Sequence, residues 1–83
     1  MSFTLLFAKH ALKDAKKLQV SALWNKAEVL LELLRKDPFR TPPPYEKLLG
    51  DLAGNYSRRI NLQHRLVYAV DEKARAVHVL RMW

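Results

Sequence analysis

Hydrophobic positions follow different rhythms along the chain, and each rhythm predicts a different element. Ser2 to Phe7 (SFTLLF) is a short, apolar, partly aromatic run, which predicts a buried strand. From Ala8 the spacing lengthens: Ala8, Ala11, Leu12, Ala15 and Leu18 recur at helical intervals while Lys9, Lys13, Lys16 and Lys17 fill the other faces. That pattern predicts a basic amphipathic helix. Ser21 can cap a second helix, whose inward stripe is Leu23, Trp24, Ala27, Leu30, Leu31 and Leu34, widened by Val29 and Leu33. Asp37-Pro38 ends it, because proline disfavours α conformation in the residue before it. Two such helices with a short link predict an αα-hairpin covering one face of a sheet.

The next stretch, PFRTPPPYEKLLGDLAGNY, has no apolar rhythm and reads as a connector. Pro42, Pro43 and Pro44 favour a stiff, extended path that would hold Tyr45 and Glu46 in place at low entropic cost. Alternation then returns. Tyr56–Asn61, Arg65–Asp71 and Ala76–Met82 are predicted strands, with turns at Leu62 to His64 and at Asp71 to Ala74. The pattern is that of an α+β fold: one strand, two helices, then a three-stranded antiparallel meander, in a single domain spanning residues 1–83.

A three-residue turn at Leu62 to His64 would pair Asn61 with Arg65, Ile60 with Leu66, Arg59 with Val67 and Arg58 with Tyr68. Paired residues share a face. Arg59, Asn61, Arg65 and Val67 then lie on one side, and Ile60, Leu66 and Val70 on the side the helices cover. Two guanidiniums on an open face could hold a phosphate, since each presents a planar fork of donors. The alternative is a solvated strand face whose arginines bond nearby carboxylates.

Composition narrows the function classes. At 83 residues the domain buries only about 60–65% of its unfolded surface, so a shallow cleft is expected rather than an enclosed metabolite cavity. A formal charge of +7 favours polyanionic partners: nucleic acid first, then an acidic protein or an anionic membrane surface. The absence of cysteine removes disulfides, a thiol nucleophile and cysteine-ligated metal, and no histidine pair has helical metal-ligand spacing, so neither metal nor cofactor is expected. No apolar run is long enough for a signal peptide or membrane span, and a cytoplasmic location is expected.

The segment EKLLGDLAGNYSRRINLQHRLVYAV resembles the signature region of the YoeB/Txe toxins, a branch of the RelE/ParE superfamily. Ser57, Arg58, Arg59, Ile60, His64, Arg65, Leu66, Val67 and Tyr68 match that signature. The resemblance implies two helices packed on one face of a four-stranded twisted sheet, and a type II toxin that enters the ribosomal A site and cuts mRNA without metal. It implies attack of a ribose 2′-oxygen on the adjacent phosphate, with Glu46 as base, Arg65 stabilising the added charge and Arg59 binding phosphate. Lys47, Tyr56, Arg58 and Arg81 complete the expected RNA-binding set. A YefM/Phd-type antitoxin is the implied partner, with homodimerisation plausible and operator DNA reached only through the antitoxin.

Other residues carry competing readings. Glu46 could instead pair with Lys47 or an arginine as an ordinary loop carboxylate. Tyr56 could line the sheet or stack on a base, whereas Trp24 and Tyr68 read as core. His64 reads as a structural turn residue, and His10 and His78 as unconnected with function. The lysines of the first helix read as a solubilising face that could also meet rRNA phosphates. The resemblance also implies a His-Tyr pair after the last strand, the histidine acting as general acid; here Arg81, Met82 and Trp83 stand at the end of the sequence. Two readings follow, a shortened chain or a natural variant lacking the acid. Alternative functions are a non-enzymatic antitoxin-binding module and a ParE-like gyrase-directed toxin.

Overall fold

The computed structural model describes residues 2–50 and 54–83, so Asp51, Leu52 and Ala53 of the leucine- and glycine-containing segment lie outside the described residues. Strand β1 (Thr4–Phe7) is followed by α1 (Lys9–Gln19) and α2 (Trp24–Lys36). The chain then forms β2 (Glu46–Lys47), β3 (Tyr56–Arg59), β4 (Arg65–Asp71) and β5 (Ala76–Met82). The sheet order is β1-β5-β4-β3-β2, with β1 parallel to β5 and every other pair antiparallel.

Among the described residues, the expected four-stranded sheet is therefore five-stranded. Glu46 and Lys47, read as part of the connector, pair with Ser57 and Tyr56 and add an edge strand. The prolines just before them bias the backbone toward extended conformation, which suits a short strand beside β3.

Both helices bury a stripe against the sheet. In α2, Ala27, Leu30, Leu31 and Leu34 are buried as the spacing predicts, but Val29 is 66% exposed and does not widen the stripe. In α1, Ala11, Ala15 and Leu18 are buried, whereas Leu12 is half exposed and Asp14 turns inward instead. Ser21 is not the N-cap of α2: Leu23 holds that position, while the Ser21 hydroxyl donates to the Leu18 carbonyl at 2.9 Å and accepts from the Leu23 N–H at 3.2 Å. Helix α2 ends where expected, and Asp37 is extended, with φ −159° and ψ 100°. Leu66, Tyr68, Val77, Val79 and Met82 supply the sheet side of the core.

The inward Asp14 has a structural cause. Strand β1 ends at Phe7, which leaves the far end of β5 without a neighbour on that edge. Asp14 fills the gap, accepting the Met82 N–H at 3.0 Å and two Arg81 guanidinium hydrogen bonds at 2.8 and 3.2 Å. Burial opposes its charge, but the hydrogen bonds from Arg81 and Met82 and the nearby charges of Arg81 and Lys17 outweigh it, holding the carboxyl below the usual value of 3.8.

The β3–β4 register differs from the expected one. Arg59 pairs with Arg65, Arg58 with Leu66, Ser57 with Val67 and Tyr56 with Tyr68, so the connection is five residues long, Ile60 to His64. Asn61 makes this loop rather than extending β3. Its Oδ1 accepts the N–H groups of Gln63 and His64 at 2.8 and 2.7 Å, while the Ile60 N–H bonds the His64 carbonyl at 2.8 Å. The slip is two residues, and a slip of two leaves every side chain on its expected face.

Candidate functional site

Register and pleat place the site. Glu46 on β2, Ser57 on β3, Val67 on β4 and Arg81 on β5 form one cross-strand row. Arg59 and Arg65 form part of the next row on the same face. The face opposite the helices thus gathers a carboxylate and two guanidiniums from β2, β3 and β4.

Side-chain geometry makes this row a unit. Arg65 Nη1 lies 3.4 Å from Glu46 Oε2 and donates to Ser57 Oγ at 3.1 Å. Glu46, Ser57 and Arg59 line one cleft of about 100 Å³ with Pro43 and Pro44, so the proline segment forms a wall of the site. The Glu46 and Arg65 side chains are 58% and 38% exposed. An exposed pair of this kind contributes only about 0–1 kcal/mol to stability, so fold maintenance is a weak reason for its presence.

Ser57 was not among the sequence candidates. It is 1% exposed, and its hydroxyl fixes the direction of Arg65. Its signal was the alternation itself, because Ser57 and Arg59 are two apart on one strand and must share a face.

The residues expected to bind RNA are distributed differently. Arg58 is 1% exposed, and its guanidinium is committed to the protein. Nε donates to Tyr68 Oη at 3.2 Å, Nη1 to the Pro43 carbonyl at 2.6 Å, and Nη2 to the Pro38 and Arg40 carbonyls at 2.9 and 2.8 Å. It ties the proline segment to the sheet and is not an RNA-facing cation. Tyr56 also lies on the covered side, edge-on to Phe39 and Tyr45 with centroids 5.3 and 5.7 Å away. Lys47 is exposed but pairs with Tyr56, which puts it on the opposite face of β2 from Glu46. Arg81 shares the row of Glu46, yet its guanidinium is bonded to Asp14 and stacked 3.6 Å from the Trp83 ring centroid.

Two further sequence candidates make hydrogen bonds within the protein. Tyr68 is fully buried, donating to the Pro38 carbonyl at 3.0 Å, and burial raises its phenol above the usual value of 10.0 despite the nearby Arg58. His64 turns its Nδ1 to Asn61 Oδ1 at 3.2 Å. That oxygen already accepts two backbone N–H groups, so Nδ1 must be the donor. Among the described residues no group of three or more His, Cys, Asp or Glu is arranged to hold a metal, and no helix is long and apolar enough to cross a membrane.

The chain and its fold resemble known proteins. A family described as "YoeB-like toxin of bacterial type II toxin-antitoxin system" matches residues 7–82. The chain belongs to the YoeB-like toxins. A curated Toxin YoeB from Synechocystis is 37% identical over 51 residues, which is 61% of this chain and 59% of that relative's length. The fold matches the solved YoeB/ParE toxin from Agrobacterium tumefaciens with TM-score 0.87 at 28% identity, covering 96% of this chain and 95% of the other. It also matches the YoeB-YefM complex from Staphylococcus aureus with TM-score 0.81 at 32% identity, covering 96% and 93%. In this YoeB-family chain the motif residues divide by strand parity: Ser57, Arg59 and Arg65 build the open face, while Arg58 and Tyr68 hold the proline wall from behind.

Proposed function

We propose that this toxin cuts mRNA on the ribosome by the metal-free route that the YoeB family suggests. The observation that carries the reading is the Arg65 guanidinium placed between Glu46 and Ser57, beside the cleft that Glu46 shares with Arg59. Glu46 accepts the proton of a ribose 2′-hydroxyl. The 2′-oxygen forms a bond to the adjacent phosphorus, and the bond to the 5′-oxygen breaks, leaving a 2′,3′-cyclic phosphate. The leaving oxygen takes its proton from a group outside this constellation. Arg65 stabilises the charge gathered on the phosphoryl oxygens, and Arg59 anchors the phosphate.

A free glutamate is a weak base at neutral pH, so the guanidiniums carry much of the rate by stabilising charge where it develops. This explains why the acid and its neighbouring arginine are exposed: both must reach a phosphodiester brought by another molecule. Single-turnover cleavage of A-site mRNA on programmed ribosomes tests the assignment. Glu46→Gln should slow it by about 10² to 10⁴-fold. Cutting at the wild-type rate would remove Glu46 from the mechanism.

The partner follows from the same face. A YefM-type antitoxin supplies an acidic segment that covers the arginines, restrains the toxin in the cytoplasm where translation occurs, and brings any operator DNA contact. Charge complementarity makes such binding salt-sensitive. A groove of about 350 Å³ lined by Lys26, Val29, Leu30, Arg59 and Ile60 offers the adjoining apolar surface. Pairing with a second copy of the chain is compatible with this arrangement.

A further inference from the structure

The Arg65 guanidinium is held by one nitrogen only. Its Nη1 donates to Ser57 Oγ at 3.1 Å and lies 3.4 Å from Glu46 Oε2, while Nε and Nη2 bond no other described residue. In a planar guanidinium, Nε–H and one Nη2–H run parallel along a second edge, at the spacing that two oxygens of one phosphate accept together. Whatever holds Nη1 therefore decides where that edge points.

The two groups that hold Nη1 differ in permanence. Glu46 lies on the two-residue edge strand β2, its side chain is more than half exposed, and its charge is lost when it takes the ribose 2′ proton. Its attraction for the cation is weakest just when negative charge gathers on the phosphate. Ser57 lies on β3, between β2 and β4, and is buried at the wall of the cleft that Glu46 and Arg59 also line. Its hydroxyl is neutral and offers the same lone pairs before and after that proton moves. A tether is needed because Arg65 stands directly opposite Arg59 in the register, and like charges so placed repel each other. Released from Ser57, the cation moves away from Arg59 toward water, and its free edge loses alignment with the cleft.

We propose that Ser57 is a positioning residue for RNA cleavage: its buried hydroxyl clamps Nη1 of Arg65 so that the Nε–Nη2 edge meets two oxygens of the scissile phosphate, and it keeps that aim after Glu46 is protonated. The inference rests on the nuclease reading for its reaction, and it adds a residue that acts through Arg65 without touching the RNA.

Two measurements test it. In single-turnover cleavage of A-site mRNA on programmed ribosomes, Ser57→Ala fills nearly the same space without the hydroxyl. It should lower the saturating rate by about 10- to 100-fold and leave the toxin concentration for half-maximal rate within about twofold, because alignment is lost while charge is kept. A wild-type rate, or a rate loss matched by a collapsed melting temperature, would overturn the proposal. The second measurement needs no cutting. The Arg65 Nε–H resonance of nitrogen-15-labelled toxin, assigned by its disappearance in Arg65→Lys, is followed as inorganic phosphate is added at constant ionic strength. It should shift saturably in wild type and respond several-fold more weakly in Ser57→Ala. A resonance that ignores phosphate in wild type, or shifts equally in both proteins, would also overturn the proposal. Wild-type toxin that leaves mRNA whole would sink the nuclease reading alone, since the phosphate titration still decides whether Ser57 aims Arg65.

Discussion

Replacing Arg58 with methionine should destabilise the fold that holds the site, although Arg58 is buried away from the open face. Methionine keeps the length and apolar stem of the side chain but removes the charge and every donor. Four hydrogen bonds are lost, to Tyr68 Oη and to the carbonyls of Pro38, Arg40 and Pro43. The Pro38 carbonyl keeps the Tyr68 hydroxyl as a donor at 3.0 Å, so it is not orphaned. The Arg40 and Pro43 carbonyls lose the guanidinium in partly buried surroundings, at about 1–3 kcal/mol each. Releasing a buried cation returns part of that cost. A net loss of about 2–4 kcal/mol follows, against a total of about 4–12 kcal/mol for a domain of this length.

At about 4–8 °C per kcal/mol, the melting temperature should fall by roughly 10–30 °C in thermal unfolding followed by circular dichroism. Arg58→Lys should recover little, since one ammonium cannot reproduce the fork that reaches three carbonyls. A melting temperature within a few degrees of wild type, combined with weakened RNA binding, would refute the reasoning and return Arg58 to the RNA-facing set.

Two further outcomes follow from particular contacts. Asp14 has a depressed carboxyl value, so its contribution to stability is present above the ordinary value of 3.8 and is lost as pH falls through the lower folded value; Asp14→Asn should flatten the pH dependence of urea unfolding in that acid window, and an unchanged acid limb would contradict it. Arg59→Ala should weaken binding of a single-stranded oligonucleotide and reduce the slope of log affinity against log salt by about 0.7, the share of one phosphate contact, whereas an unaltered slope would show that Arg59 meets no phosphate.

The face of each side chain was legible in the sequence because strand parity survives a register error of two. Arg59 and Arg65 were expected together on the open side and are found there, though paired with each other rather than with Val67 and Asn61. The turn was misplaced because Asn61 fits a strand by position, while its side chain offers three donors a better acceptor. The same parity put Arg58 on the covered face beside Tyr68. Arginines are so seldom fully buried that the pattern was read as surface charge, and only the carbonyls of the proline segment explain its burial. Glu46 was expected near the arginines from the resemblance alone, since no periodicity marks a two-residue edge strand. Asp14 entered the core for a reason invisible in helical spacing, the unpaired edge of β5.

The nature of the new RNA ends tests the chemistry most directly. Wild-type toxin acting on mRNA in programmed ribosomes should leave a 2′,3′-cyclic phosphate and a 5′-hydroxyl, and a 2′-deoxy sugar at the cut position should block cleavage. A 3′-hydroxyl with a 5′-phosphate, or unimpeded cutting beside the 2′-deoxy sugar, would show that water rather than the ribose oxygen attacks and would contradict the role given to Glu46.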